Sequence, residues 1–209
     1  QHGNSLTFMA KYDEREGNSC HIHLSLRGDN GDVIFWDEGE RTPLYDHFIA
    51  GVLATLRELT LLYAPNINSY KRFAAGSFAP TAVAWGLDNR SCAVRLVGHG
   101  PSARMENRLP GGDVNPYLAL AGMLAGGLHG IENELPLEDE LVGNAYESDK
   151  PHVPHTLRDA RELFASSAIA RSAFGGEVVD HYVNMADVEL AAFDAHVTDW
   201  ELARSFERM

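Results

Sequence analysis

Cysteine is nearly absent: Cys20 and Cys92 are the only two in 209 residues. That is too few for a disulfide framework or a zinc set, and both lie in strand-like apolar runs, where they read as small buried hydrophobes. Long apolar runs are lacking too. None approaches the ~20 residues of a membrane-spanning helix. The stretch "QHGNSLTFMAKYDERE" has neither the basic nor the apolar region of a signal peptide, so the cytoplasm is the expected compartment. Positive charge is scarce, with 17 Lys plus Arg against 30 Asp plus Glu and a formal net charge of −13. Nucleic acid and acidic membrane surfaces are polyanions that such a chain repels, so neither is an expected partner and any anionic ligand must be held locally. No internal repeat, low-complexity tract or interdomain linker stands out.

What is present reads as one α+β domain over residues 1–209. A hydrophobic content of 44% is ample for a core. The chain opens on Gln1 and runs directly into "SLTFMAK", which alternates like a strand, so it reads as the later part of a longer protein. Strands are expected over about Leu6–Lys11 and Ser19–Leu26, joined by the charged "YDEREG" as a hairpin. Thr42 can cap a helix with Pro43 at its first position, and Phe48, Val52, Leu56 and Leu59 recur at helical spacing until Pro65. "NINSYKRFAAGSFAPTAVAWG" has no sustained period and is expected to be a long ordered loop. Two more strands, Ser91–Val97 and Ala103–Leu109, flank the turn "GHGPS". Asn115 and Pro116 start a helix whose small residues allow close packing, ended by Pro136; from Thr156, with Asp159 completing a capping box, the rest is expected to be helical. An antiparallel curved sheet covered by helices is the simplest architecture.

The polar sides of three strands carry the chemistry. In "GNSCHIHLSL", Cys20, Ile22, Leu24 and Leu26 share one face, and His21, His23 and Ser25 share the other. In "SARMENRLP", Arg104, Glu106 and Arg108 oppose Met105, Asn107 and Leu109. Arg95 opposes Cys92, Val94 and Leu96, with Arg90 at the strand's entrance. One wet sheet face accounts for any one strand alone. Together, however, the polar sides hold histidine, glutamate and arginine, which bind divalent metals and clamp carboxylate or phosphate. An acidic chain that gathers Arg72, Arg90, Arg95, Arg104 and Arg108 in one region is focusing an anion, and metal, arginine clamp and anion together describe phosphoryl transfer. A metal-binding double-stranded β-helix is the rival; it fails because no carboxylate closely follows His23 and because helix is abundant.

"EGNSCHIHLSL", "NSYKRF", "GSFAP", "DNRSCAVRL", "RMENRLPGGDVNPYLAL" and "GGLHGIENEL", in this order and spacing, resemble the carboxyl-terminal catalytic domain of glutamine synthetases, and more narrowly the γ-glutamylpolyamine synthetase-like branch. The resemblance implies an ATP-dependent ligase in which glutamate's γ-carboxylate takes the terminal phosphoryl group of ATP and an amine or ammonia then captures the γ-glutamyl phosphate. It implies Mg2+ or Mn2+, held by His21 and Glu106. It places His23, Ser25, Arg90 and Arg104 by ATP. Arg72, Arg95 and Arg90 fall on catalytic positions, and Gly17, Arg72 and Arg108 near glutamate. His99, His129, His152, His155, His181 and His196 match nothing catalytic.

Two departures bear on function. Ammonia-using members carry a glutamate in the loop matching "GSFAP"; here Phe78 stands in its place. A phenyl ring cannot accept a proton, which favours a larger primary amine such as a polyamine or ethanolamine. The family's other metal carboxylates and its amino-terminal β-grasp domain match nothing in these residues, so this stretch alone is expected to be inactive, and the full enzyme to be a homo-oligomer. Glutamine synthetase proper and a non-catalytic nucleotide-binding relative are the alternatives.

Overall fold

In the computed structural model, which describes residues 2–208, the first helix begins where cap chemistry requires. The Thr42 hydroxyl accepts the Tyr45 amide at 3.3 Å and Pro43 fills the first turn of α1, Pro43–Thr55. Asn115 caps α3, Pro116–Glu132, by accepting the Tyr117 amide at 3.0 Å. Thr156 caps α4, Leu157–Ser166, through the Asp159 amide. The helix expected to continue to Pro65 instead breaks after α1 and resumes as α2, Thr60–Tyr63. Thr55 and Thr60 donate their hydroxyls to the Gly51 and Leu56 carbonyls, a back-bonding that bends helices.

The carboxyl-terminal region is helical as expected but divided: α4 is followed by α5, Ala168–Phe174, α6, Gly176–Ala195, and α7, Asp199–Ser205. Each break carries its own cap. Ser167 accepts the Ala170 amide, Gly175 takes the left-handed conformation at φ 85, and Thr198 and Glu201 form a reciprocal box.

Four short strands make the main sheet: β1 Ile22–Leu24, β4 Trp85–Leu87, β5 Val94–Val97 and β6 Arg104–Asn107, in the order β1-β6-β5-β4. β6 pairs antiparallel with β1 and β5, the arrangement expected, while β4 adds a parallel pairing to β5. The chain expected to loop through 66–86 therefore ends in a strand, preceded by a 3-10 turn, Ile67–Arg72. A small hairpin, β2 Trp36–Asp37 with β3 Glu40–Arg41, turns through Glu38 and Gly39 at φ 46 and 91, the geometry of a type I′ turn.

The hairpin expected between Leu6–Lys11 and Ser19–Leu26 does not form. Loop groups satisfy its first arm instead: the Lys11 amide donates to Asn68 Oδ1 at 2.8 Å, the Lys11 carbonyl accepts from Asn68 Nδ2 at 2.9 Å, and Ala10 O accepts the Asn18 amide. The core lies between the sheet and the helices. Val94, Leu96, Met105 and Leu109 point inward against Phe48, Leu56, Leu59 and Met123, all fully or almost fully buried. The opposite sheet face is left for the polar residues.

Candidate active site

Register assembles the site. His23 stands opposite Glu106 across β1 and β6, and Glu106 stands opposite Arg95 across β6 and β5. Three side chains from three strands thus share one face, as alternation predicts. Glu106, 2% exposed, is the hub. Its Oε1 lies 3.0 Å from His21 Nδ1, 2.9 Å from Arg108 Nη1 and 3.8 Å from His23 Nε2, and its Oε2 accepts from Arg95 Nη1 at 2.9 Å. Arg104 donates Nε to His23 Nδ1 at 3.2 Å and Nη1 to the Ser102 carbonyl. Arg108, itself buried, also donates Nη2 to the Phe78 carbonyl at 3.2 Å.

Burial pushes the Glu106 carboxyl up, but hydrogen bonds from His21 and Arg95 and the Arg108 charge outweigh it and hold the pKa at about 2. His23 is lowered by burial first; Glu106 opposes this, and the neighbouring arginines add to it. Because Glu106 binds its proton less readily folded than unfolded, its stabilisation is complete above its ordinary value of 4.5 and is lost as pH falls towards 2. Urea melts in chelator-containing buffer should therefore lose midpoint from about pH 5 downward. Glu106→Gln should be weaker at neutral pH and flatter over the acid range; an unchanged acid slope would assign the loss to other carboxylates.

The remaining site residues fall in two groups. Arg72 is not a loop arginine reaching for solvent: at 2% exposure its Nη1 donates to Ser19 Oγ at 3.2 Å and its Nη2 to the Leu109 carbonyl, so it lies next to Arg108 but outside the Glu106 cluster. Gly17 packs on it. A β-carbon at Gly17 would stand 2.8 Å from Arg72 Cγ and 2.6 Å from the Ala10 carbonyl, so only glycine fits without displacing the arginine. Ser25 and Arg90 are exposed and take no part in the cluster.

Two residues and one main-chain group that sequence did not single out also contribute. Asp88, left-handed at φ 49, accepts from Arg95 Nε at 2.9 Å and aims its guanidinium at Glu106. The main-chain carbonyl of Phe78, a residue at φ 56, anchors Arg108. Tyr146 donates its hydroxyl to the Ala79 carbonyl at 2.8 Å and fixes the same loop. "LDNR" is a legible turn signal for Asp88, since aspartate tolerates the left-handed region. A carbonyl has no such signal.

A mixed α+β domain with a buried carboxylate held by imidazole and guanidinium groups from three strands defines a site for multiply charged ligands. The chain belongs to the glutamine synthetase catalytic-domain family, whose sequence profile matches residues 1–205. It is 66% identical over 209 residues to gamma-glutamylethanolamide synthetase GlnA4 of Streptomyces coelicolor, covering 100% of this chain and 45% of that protein. It is 42% identical over 213 residues to glutamate–isopropylamine ligase of a Pseudomonas species, covering 98% and 46%. Among solved structures, a GmaS/ADP complex superposes with TM-score 0.87 at 30% identity, covering 96% of this chain and 49% of that one. The chain thus spans about half the length of the relatives it matches. Among the described residues no helix is long and apolar enough to cross a membrane.

Proposed function

We propose that this chain is the carboxyl-terminal part of the catalytic domain of a cytoplasmic, homo-oligomeric, ATP-dependent glutamate–amine ligase. The observation that carries this is the convergence of His21, His23, Arg95 and Arg108 on Glu106 across one sheet face. The family membership, the amine ligases among its relatives and the ADP-bound structural neighbour support it.

Arg95, Arg104 and His23 serve the phosphates of ATP, and the exposed Arg90 and Ser25 serve the nucleotide by their positions in the motifs. Arg72, Gly17 and Arg108 serve glutamate. A γ-carboxylate oxygen attacks the terminal phosphorus while the bond to ADP breaks; the amine nitrogen then attacks the acyl carbon, phosphate leaves and the nitrogen loses a proton. Both steps gather negative charge, which fixed guanidinium groups stabilise. Mg2+ or Mn2+ would be held by His21 and Glu106 and would neutralise phosphate charge when bound. The donor set fits a hard divalent cation: an imidazole stands 3.0 Å from a carboxylate that its surroundings keep ionised, and His21 Nε2 is buried without a partner. Among the described residues no group of three or more His, Cys, Asp or Glu is arranged for a metal, so the other donors belong elsewhere in the enzyme.

Phe78 selects the acceptor. The residue is 62% exposed, its main-chain carbonyl is held by Arg108, and its ring offers no base to ammonium. Phosphate release from ATP with glutamate and a panel of ethanolamine, isopropylamine, a diamine and ammonium, using the full enzyme that carries this chain, tests the assignment. At least one primary amine should exceed ammonium by roughly tenfold or more in kcat/KM, a preference of about 1.4 kcal/mol. Equal or better use of ammonium would make the enzyme a glutamine synthetase proper, and nucleotide binding without turnover on any amine would make it a non-catalytic relative.

A further inference from the structure

Arg72 is buried yet touches only neutral groups. Nη1 meets Ser19 Oγ, Nη2 meets the Leu109 carbonyl, the guanidinium lies 5.1 Å from the Phe73 ring centroid, and Nε has no partner. A buried guanidinium without an anion is costly. The nearby anion is Asp113, between β6 and α3, which is itself half satisfied. Its Oδ2 accepts from Ser69 Oγ at 2.6 Å and from Asn66 Nδ2 at 2.9 Å, the residues that open the 3-10 turn ending in Arg72; its Oδ1 is buried without a partner. The two orphan atoms converge on Gly111. A β-carbon there would stand 2.5 Å from Asp113 Oδ1 and 3.7 Å from Arg72 Nε.

We propose that Asp113 is a positioning residue for Arg72: it anchors the turn that carries the arginine and supplies a counter-charge across Gly111 without contact, leaving the guanidinium charged and free to take a substrate carboxylate. Burial lowers Arg72 to about 10 and the Asp113 charge opposes that fall, in keeping with this role. A direct ion pair would commit the arginine; no anion at all would leave its buried charge unbalanced. The proposal rests on the assignment of Arg72 to glutamate binding.

Asp113→Asn in the full enzyme tests it, because the amide oxygen can still accept from Ser69 and Asn66 while the charge is lost. KM for glutamate should rise about tenfold, with KM for ATP within about twofold. Gly111→Ala, whose methyl displaces the carboxylate, should give the same glutamate-selective change. In a double-mutant cycle, Asp113→Asn should add little to Arg72→Lys. Equal rises in both KM values, a lowered Tm alone, or additive effects in the cycle would overturn the proposal and leave Asp113 a structural residue. Unchanged glutamate KM in Arg72→Lys by itself would instead overturn the assignment of Arg72, whatever Asp113 does.

Discussion

Gly130→Ala should lower Tm by ~10 °C or prevent folding altogether, a large stability loss for a single methyl. In an ordinary helix the same exchange stabilises by about 1 kcal/mol, because alanine loses less backbone entropy. Here α1 and α3 meet backbone to backbone. A β-carbon on Gly130 would stand 2.0 Å from the His47 carbonyl oxygen and 2.7 Å from Gly51 Cα. One on Gly51 would stand 2.1 Å from the Gly126 carbonyl oxygen. No side-chain rotation relieves such contacts, so the helix axes must separate and loosen the layer of Phe48, Val52 and Met123 beneath them. Overpacking of this kind costs about 3 kcal/mol or more. Gly176→Ala is the control: it opens α6, its nearest outside atom is Arg171 Nη1 at 3.6 Å, and the change should be neutral or slightly stabilising. A Gly130→Ala protein that melts within about 2 °C of the parent would mean that α1 and α3 do not pack this closely.

The small-residue run "LALAGMLAGGLHG" makes this contact legible in sequence, and the caps at Thr42, Asn115 and Thr156 are legible for the same local reason. Strand alternation likewise puts His21, His23, Arg95, Glu106 and Arg108 on one side, because period two is a property of each strand alone. What alternation cannot give is the partner. β4 is a three-residue strand in the apolar run "TAVAWG", where nothing alternates and nothing signals a parallel neighbour. Leu6–Lys11 alternates yet pairs with loop side chains, a choice made by Asn18 and Asn68 rather than by its own pattern. Arg72 illustrates the same limit. Its sequence neighbours do not show whether it snorkels or is buried, since that depends on Leu109, Ser19 and Gly17 closing around it.

Glu106→Gln in the full enzyme should lower kcat by about a thousandfold or more, beyond the loss from any exposed ion pair. The substitution keeps size and shape, so only charge and acceptor capacity change. Glu106 receives groups from four residues on two oxygens. An amide offers one oxygen and turns an NH2 group towards Arg95, Arg108 or His21, setting donor against donor at about 3 Å in a site with little water. Arg95 and Arg108 then lose the anion they share, and the glutamyl and phosphate groups lose their frame. A cation site would keep His21 with a neutral oxygen in place of a carboxylate, so more Mn2+ should be needed for half-maximal rate in the residual activity. Arg161→Ala provides the comparison, since the Arg161–Asp187 pair between α4 and α6 has equally short contacts at 2.6 and 2.8 Å but lies in solvent, and its removal should cost less than about 1 kcal/mol and leave kcat unchanged. If the two variants retained similar activity, the Glu106 cluster would be a structural ion-pair network and the catalytic assignment would have to move off this face of the sheet.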